Sequence, residues 1–283
     1  MMAFCHILYM HKEGVTALTG RKGFLFALIG LFILQLAIPL AVAAKGWNEP
    51  IHWGFKRSTD HQPPQAGEEM DALLEKYGSF YLGDTSKKEI YLTFDNGYEN
   101  GYTAPILDVL KAKQVPAAFF VTGHYLKTEP ALVQRMVREG HIVGNHTDRH
   151  PDLTRVSDER LREELLRVEE EFKRLTGEKG MGYLRPPRGI FSERTLALSS
   201  ELGYRNVFWS LAFVDWQTDR QRGWRYAYRN IMEQIHPGAV ILLHTVSRDN
   251  AEALARVIDD LRAQGYQFRS LDDLIYDQLL PLE

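Results

Sequence analysis

The sequence predicts an α/β protein organised around a parallel sheet, on three observations. From Lys88 onward, strand-like and helix-like stretches alternate through about seven β-then-α units with no repeat of fixed period. That alternation calls for parallel strands joined by right-handed helical crossovers. Second, conspicuous polar residues fall at the C-terminal ends of the strand-like stretches, where such folds keep their chemistry. Third, 283 residues with 45% hydrophobic and 25% charged content are ordinary globular composition, enough for one large domain or two small ones. A doubly wound open sheet and a closed, slightly irregular barrel both satisfy this pattern.

The chain begins with a targeting segment. Residues 1–22 carry Arg21 and Lys22 as a cytoplasmic flank, and 23–44 is an uncharged run ending Ala41-Val42-Ala43. The small-residue ending suits a cleaved secretory signal. The length, close to the roughly 20 residues that span a bilayer, suits an uncleaved membrane anchor. In either case the remaining chain lies outside the cytoplasm. Residues 45–85 contain Trp47, Trp53, Pro63 and Pro64, then a helical pattern at Met70, Leu73, Leu74 and Tyr77. These aromatics predict an extension packed on the main domain, which occupies 86–283.

The domain opens on Ile90 to Gly97, in which Ile90, Leu92 and Phe94 alternate with Tyr91 and Thr93 as a buried strand. It stops at Asp95-Asn96-Gly97, which by itself is also an ordinary turn signal. Residues 103–113 are helical, with Pro105 near the first turn, and 116–123 is an apolar strand. A helix over 129–139 stops at Gly140, followed by a short strand at 141–145. The longest helix, 157–176, places Leu161, Leu165, Val168, Phe172 and Leu175 four, three, four and three apart, one buried stripe. The remaining units are a brief strand at 183–185, a helix over 192–202, a strand at 204–210 and a helix near 223–236. The apolar strand 239–244, a helix over 249–263, a strand at 267–270 and a last helix close the chain.

The polar strand ends carry the chemistry. Asp95 ends the opening strand, and His146 and His150 follow the strand at 141–145 at a spacing suited to a divalent metal. Arg185 precedes Pro186-Pro187, whose fixed backbone suits an arginine that must hold a carboxylate. Asp215 is placed to orient an imidazole, and His244 ends the most apolar strand. A histidine paired with a carboxylate keeps a raised pKa and serves as a general acid. His124 and His141 flank strands and read as structural, and His236, beside Pro237-Gly238, reads as a helix end. With ten histidines and one cysteine, Cys5, the chain has no internal disulfide and no Cys-based zinc site. Its formal net charge of −3 offers no basic face for nucleic acid.

Thr93-Phe94-Asp95-Asn96-Gly97, His146-x-x-x-His150, Arg185-Pro186-Pro187-x-Gly189, Asp215-Trp216 and Leu242-Leu243-His244 resemble, in order, the five motifs of the polysaccharide deacetylases, the NodB-homology group or carbohydrate esterase family 4. Asp-Asn-Gly-Tyr-Glu-Asn-Gly at 95–101 and Arg188 resemble the subgroup that deacetylates N-acetylmuramic acid on the way to the delta-lactam of spore-cortex peptidoglycan. The resemblance implies a distorted (β/α) barrel of about seven units. It implies Asp95 as the general base, Arg185 as its orienting partner, and His244 as the general acid tuned by Asp215. His146 and His150 would bind a divalent metal. Trp216 and Leu242 would line the acetyl pocket, with Asn96 and Arg188 also at the substrate, and the Arg188 backbone N–H would hold the oxyanion. Asn96 stands where most of the family has a metal-binding aspartate, so the cation would be held weakly, be a different ion, or be dispensable.

The expected activity is thus extracytoplasmic de-N-acetylation of the peptidoglycan glycan strand, in the cell envelope or forespore intermembrane space, with membrane contact only through an uncleaved leader. A deacetylase of chitin-like polymers and a catalytically silent glycan-binding protein are the alternatives. Retention of both an acid and a base disfavours the silent one.

Overall fold

In the computed structural model, which describes residues 46–279, the chain from Trp47 onward folds around one curled parallel sheet. The predicted signal or anchor at 23–44 lies outside the described residues. Among the described residues no helix is long and apolar enough to cross a membrane.

The first segments are peripheral. Strand β1 (Ile51–His52) and helix α1 (Glu68–Lys76) lead into β2 (Glu89–Asn96), which is buried along its whole length. Then come α2 (Thr103–Lys113), β3 (Ala117–Val121), α3 (Gly123–Thr128), α4 (Pro130–Arg138), β4 (Ile142–Asn145) and α5 (Asp158–Thr176). The chain continues through β5 (Tyr183–Leu184), β6 (Ile190–Phe191), α6 (Glu193–Glu201), β7 (Arg205–Asn206), α7 (Trp224–Gln234) and β8 (Ala239–His244). Helix α8 (Arg248–Ala263), β9 (Gln267–Phe268) and α9 (Leu271–Leu279) complete it.

The sheet order is β7-β5-β4-β3-β2-β8, every pair parallel, with β9 alongside the first residues of β2. Beyond β7 the chain bridges Phe80 at Val207 and β8 at Leu211, which closes the curl into a distorted barrel. Strand alternation divides the core. Ile90, Leu92 and Phe94 of β2 face the helices and pack with Ile106, Leu110 and Phe119. Tyr91 faces the opposite way, with Phe120, Tyr183, Val207 and Val240, and α9 plugs that interior with Leu271 and Leu274.

Local signals explain the helix limits. Ser157 caps α5 by accepting from Arg160 N–H, and Gly177 ends it at φ 78°. Its stripe Leu161, Leu165, Val168 and Phe172 is buried against the sheet. Burying each such side chain contributes about 1.5–3 kcal/mol before entropy. The extension packs through Trp53, whose ring lies 4.8 Å from Phe208 and 4.9 Å from Tyr81.

Three features differ from expectation. The strand expected at 204–210 is continuous with the sheet only at β7, because Phe80 and then β8 take its backbone bonds: Phe208 N–H donates to Phe80 O and Ser210 N–H to Val240 O. Helix α3, capped by Thr122, follows β3 directly. A small antiparallel pair, β1 with β6, ties the extension to the barrel. Such two-residue pairings carry too little periodicity to be read locally.

Candidate active site

Asp95 and His244 meet because β2 and β8 are adjacent and in register, Asp95 opposite His244. Asp95 lies on the interior face with Thr93, one step out of phase with Phe94. The Arg185 side chain is fully buried and reaches it from the end of β5. Its Nη1 donates to Asp95 Oδ1 at 2.8 Å, Nη2 to Thr93 Oγ1 at 2.8 Å, and Nε to Val207 O at 3.0 Å. The guanidinium lies over the Phe120 ring, 4.1 Å from its centroid. Burial alone would raise the Asp95 pKa, but the charges of Arg185, His146 and His244 outweigh it and hold Asp95 below its ordinary value. Asp95 is therefore an ionised carboxylate.

His244 sits across from it on a second relay. Its Nδ1 donates to Asp215 Oδ1 at 2.7 Å, and its backbone N–H donates to Asp215 Oδ2 at 2.8 Å. Asn250 Nδ2 also donates to Asp215 Oδ2, at 2.6 Å. With Nδ1 committed, Nε2 is the nitrogen free to react. Burial would depress this imidazole, yet the charge and hydrogen bond of Asp215, with Asp95 behind, raise its pKa. A low carboxylate and a raised imidazole facing one cavity form an acid–base pair at neutral pH.

The histidine pair lies beside Asp95. His146 Nδ1 donates to Arg185 O at 2.8 Å, leaving its Nε2 3.5 Å from Asp95 Oδ2. The His150 ring centroid is 4.8 Å from that of His146. Thr147 and His150 adopt left-handed φ of 68° and 57°, a strained loop held by Asn145 Oδ1 on Thr147 N–H and Thr147 Oγ1 on His150 N–H. Burial keeps His146 below the usual imidazole value, and loss of solvent together with His146 does the same for His150. Two neutral imidazoles are donor chemistry for a divalent cation. No third side chain joins them: among the described residues no group of three or more His, Cys, Asp or Glu is placed to hold an ion. The donor set fits a cation that keeps water in its remaining positions.

Asp95, His146, His150 and His244 open onto one cavity of about 620 Å³, whereas their partners Thr93, Arg185, Asp215 and Asn250 do not line it. Trp216, Leu242 and Arg188 line it, Trp216 half-exposed with its ring centroid 5.5 Å from that of His244. Asn96 corrects the expectation of a substrate contact. It is fully buried, does not line the cavity, and donates Nδ2 to Thr245 Oγ1 at 2.8 Å, because strand alternation turns it to the face opposite Asp95.

Tyr98, His124, Arg149 and Trp209 also line the cavity. His124, expected to be structural, follows the C-terminal end of β3, so the strand-end rule applied to Asp95 also covers it. His141 is buried, and His236 is held by Gln234 O and Ser210 Oγ, consistent with structural roles. Asn250 bears no local signal, and Thr93, although it stands in the first motif, has no local sign of its bond to Arg185, since only packing brings these partners together.

The polysaccharide deacetylase family model matches residues 82–207. The chain is 57% identical to the Bacillus subtilis (strain 168) peptidoglycan-N-acetylmuramic acid deacetylase PdaA over 235 residues, 83% of this chain and 89% of that protein. The solved structure of Bacillus subtilis PdaA, a family 4 carbohydrate esterase, superposes with a TM-score of 0.80 at 57% identity, covering 82% of this chain and 99% of that one. A family 4 carbohydrate esterase from Bacillus anthracis gives a TM-score of 0.69 at 59% identity, covering 81% of this chain and 97% of the other.

Proposed function

The chain belongs to the polysaccharide deacetylase family, and we propose that it removes acetate from N-acetylmuramic acid in peptidoglycan. The observation that carries the chemistry is the Asp95–His244 pair, base and acid on adjacent strands facing one cavity. Asp95, ionised and aimed by Arg185, takes a proton from water as the water oxygen attacks the acetamide carbonyl. The backbone N–H of Arg188 holds the oxyanion that forms. His244 Nε2 then gives its proton to the departing nitrogen, so the C–N bond breaks to acetate and a free amine. Trp216 and Leu242 enclose the acetyl methyl group. Enzymes of this family are generally metal-dependent; a cation held by His146 and His150 would supply Lewis acidity toward the carbonyl.

Arg188 supports the muramic acid reading. It projects from a left-handed residue, φ 58°, on the cavity wall. Muramic acid carries a lactyl carboxylate that glucosamine lacks, and a guanidinium grips a carboxylate bidentately. The freed amine would then be available for lactam closure onto that carboxyl in spore cortex, on the outer side of the cytoplasmic membrane.

Mass spectrometry of muropeptides after incubation with the protein tests the proposal. Deacetylated muramic acid from the wild type and none from Asp95→Asn is the expected result. Acetate released only from glucosamine residues would point to a chitin-type deacetylase, and none from any strand to a silent binder.

A further inference from the structure

We infer that Asn250 is a positioning residue for the reacting histidine, holding Asp215 in the one rotamer that keeps His244 Nδ1 occupied and Nε2 turned to the cavity. The inference rests on the acid–base reading above and extends it to a residue outside the five motifs.

Asn250 belongs to the first turn of α8 and is almost fully buried. Its Nδ2 donates to Asp215 Oδ2 at 2.6 Å and to His244 O at 3.2 Å, so one amide group touches both members of the relay. Its Oδ1 is buried with no hydrogen-bond partner. A buried amide with an unmet oxygen costs stability compared with an apolar side chain of the same size. Packing alone therefore does not account for an amide here, whereas its donor has a specific target.

The surroundings make the contact rigid. Asn250 N–H is capped by Ser247 Oγ. Asp249 Oδ2 accepts from the N–H groups of Arg222 and Gly223, and Gln221 Oε1 accepts from Asp249 N–H. The loop that carries Asp215 is thus tied at its far end to the same helix start that supplies Asn250. Without Asn250, Asp215 Oδ2 keeps only the His244 backbone N–H, and the carboxylate is free to turn from Nδ1. The charged or titratable groups facing His244 are Asp215 from this loop, Asp95 from β2, and Arg185 and His146 beyond the ends of β5 and β4. Of these, Asp215 alone is bonded to the ring, so loosening it should lower the histidine's proton affinity.

The test uses Asn250→Leu, which keeps the branched shape and removes the donor, and Asn250→Ser, which shortens the side chain and replaces the amide donor with a hydroxyl. NMR titration of His244 reads the effect without any turnover. The expected result is a His244 pKa about one unit lower in Asn250→Leu, with an intermediate value for Ser. The alkaline limb of kcat/KM for acetate release should move down by the same amount, a roughly tenfold loss above it. In an Asp215→Asn background, Asn250→Leu should change the His244 titration no further. A His244 titration that stays at the wild-type position in a folded variant overturns the inference, and if Asn250→Leu does not fold, Asn250→Ser alone decides. Failure of the deacetylase reading is distinguishable, because the wild type would then release no acetate at any pH while the titration still reports on Asn250.

Discussion

Replacing Arg185 with methionine probes the buried ion pair under Asp95. The substitution keeps most of the side-chain length and removes the charge from a fully buried site. Left behind are the Asp95 carboxylate, Thr93 Oγ1 without its donor, and Val207 O without Nε. The nearest remaining partner of the carboxylate is His146 Nε2 at 3.5 Å. Breaking a buried pair from one side costs about 3–5 kcal/mol. For a unit of this size each kcal/mol moves Tm by about 2–4 °C, so a fall of about 6–20 °C is expected. Urea unfolding followed by tryptophan fluorescence measures the loss, and the double variant Arg185→Met/Asp95→Asn should recover at least about 2 kcal/mol of it, because no buried charge is stranded. The pH dependence should also change sign. In the wild type the folded Asp95 pKa lies below the ordinary 3.8, so the pair's stabilisation is present above that value and is lost as pH falls through the folded value. In Arg185→Met burial is no longer outweighed, the folded pKa rises, and acidification relatively stabilises the variant. A loss under about 1 kcal/mol, or a double variant no more stable than the single, would refute this reasoning.

Asp215→Asn should lower the His244 pKa, shift the alkaline limb of kcat/KM to lower pH and cost about 10–100-fold at pH 8; an unmoved limb would remove His244 as the acid. Arg188→Tyr should lose preference for muramic acid over glucosamine oligomers while retaining some acetate release, and unchanged selectivity would free Arg188 from that role. Chelation of divalent cations should lower acetate release at least about tenfold, with His150→Gln showing the same loss, whereas a chelator-resistant rate would show that the two imidazoles work without an ion. Gly189→Ala should destabilise by about 1–3 kcal/mol in thermal unfolding. At φ +65° the added Cβ would lie 2.8 Å from the Trp209 ring and 3.0 Å from Trp53 Cβ.

Local sequence determined the element types and the side of the sheet on which the chemistry lies. Alternation placed Ile90, Leu92 and Phe94 on one face, and the four-three spacing of α5 set its buried stripe, because both periodicities follow from backbone geometry alone. The strand-end rule located Asp95, His146, Arg185, Asp215 and His244, since parallel strands bring their C-terminal ends to one edge. Tertiary structure decided what depends on neighbours distant in the chain. The register of β2 with β8 set Asp95 opposite His244, and the curl through Leu211 closed the barrel around Arg185. Alternation turned Asn96 from Asp95, but only the packing beside β2 supplied its partner, Thr245, 149 residues later. Asn250 reached Asp215 across 35 residues, through the packing of a helix start against a loop. No local periodicity encodes such meetings: they are set by which elements pack together, and the proton affinities of Asp95 and His244 follow from them.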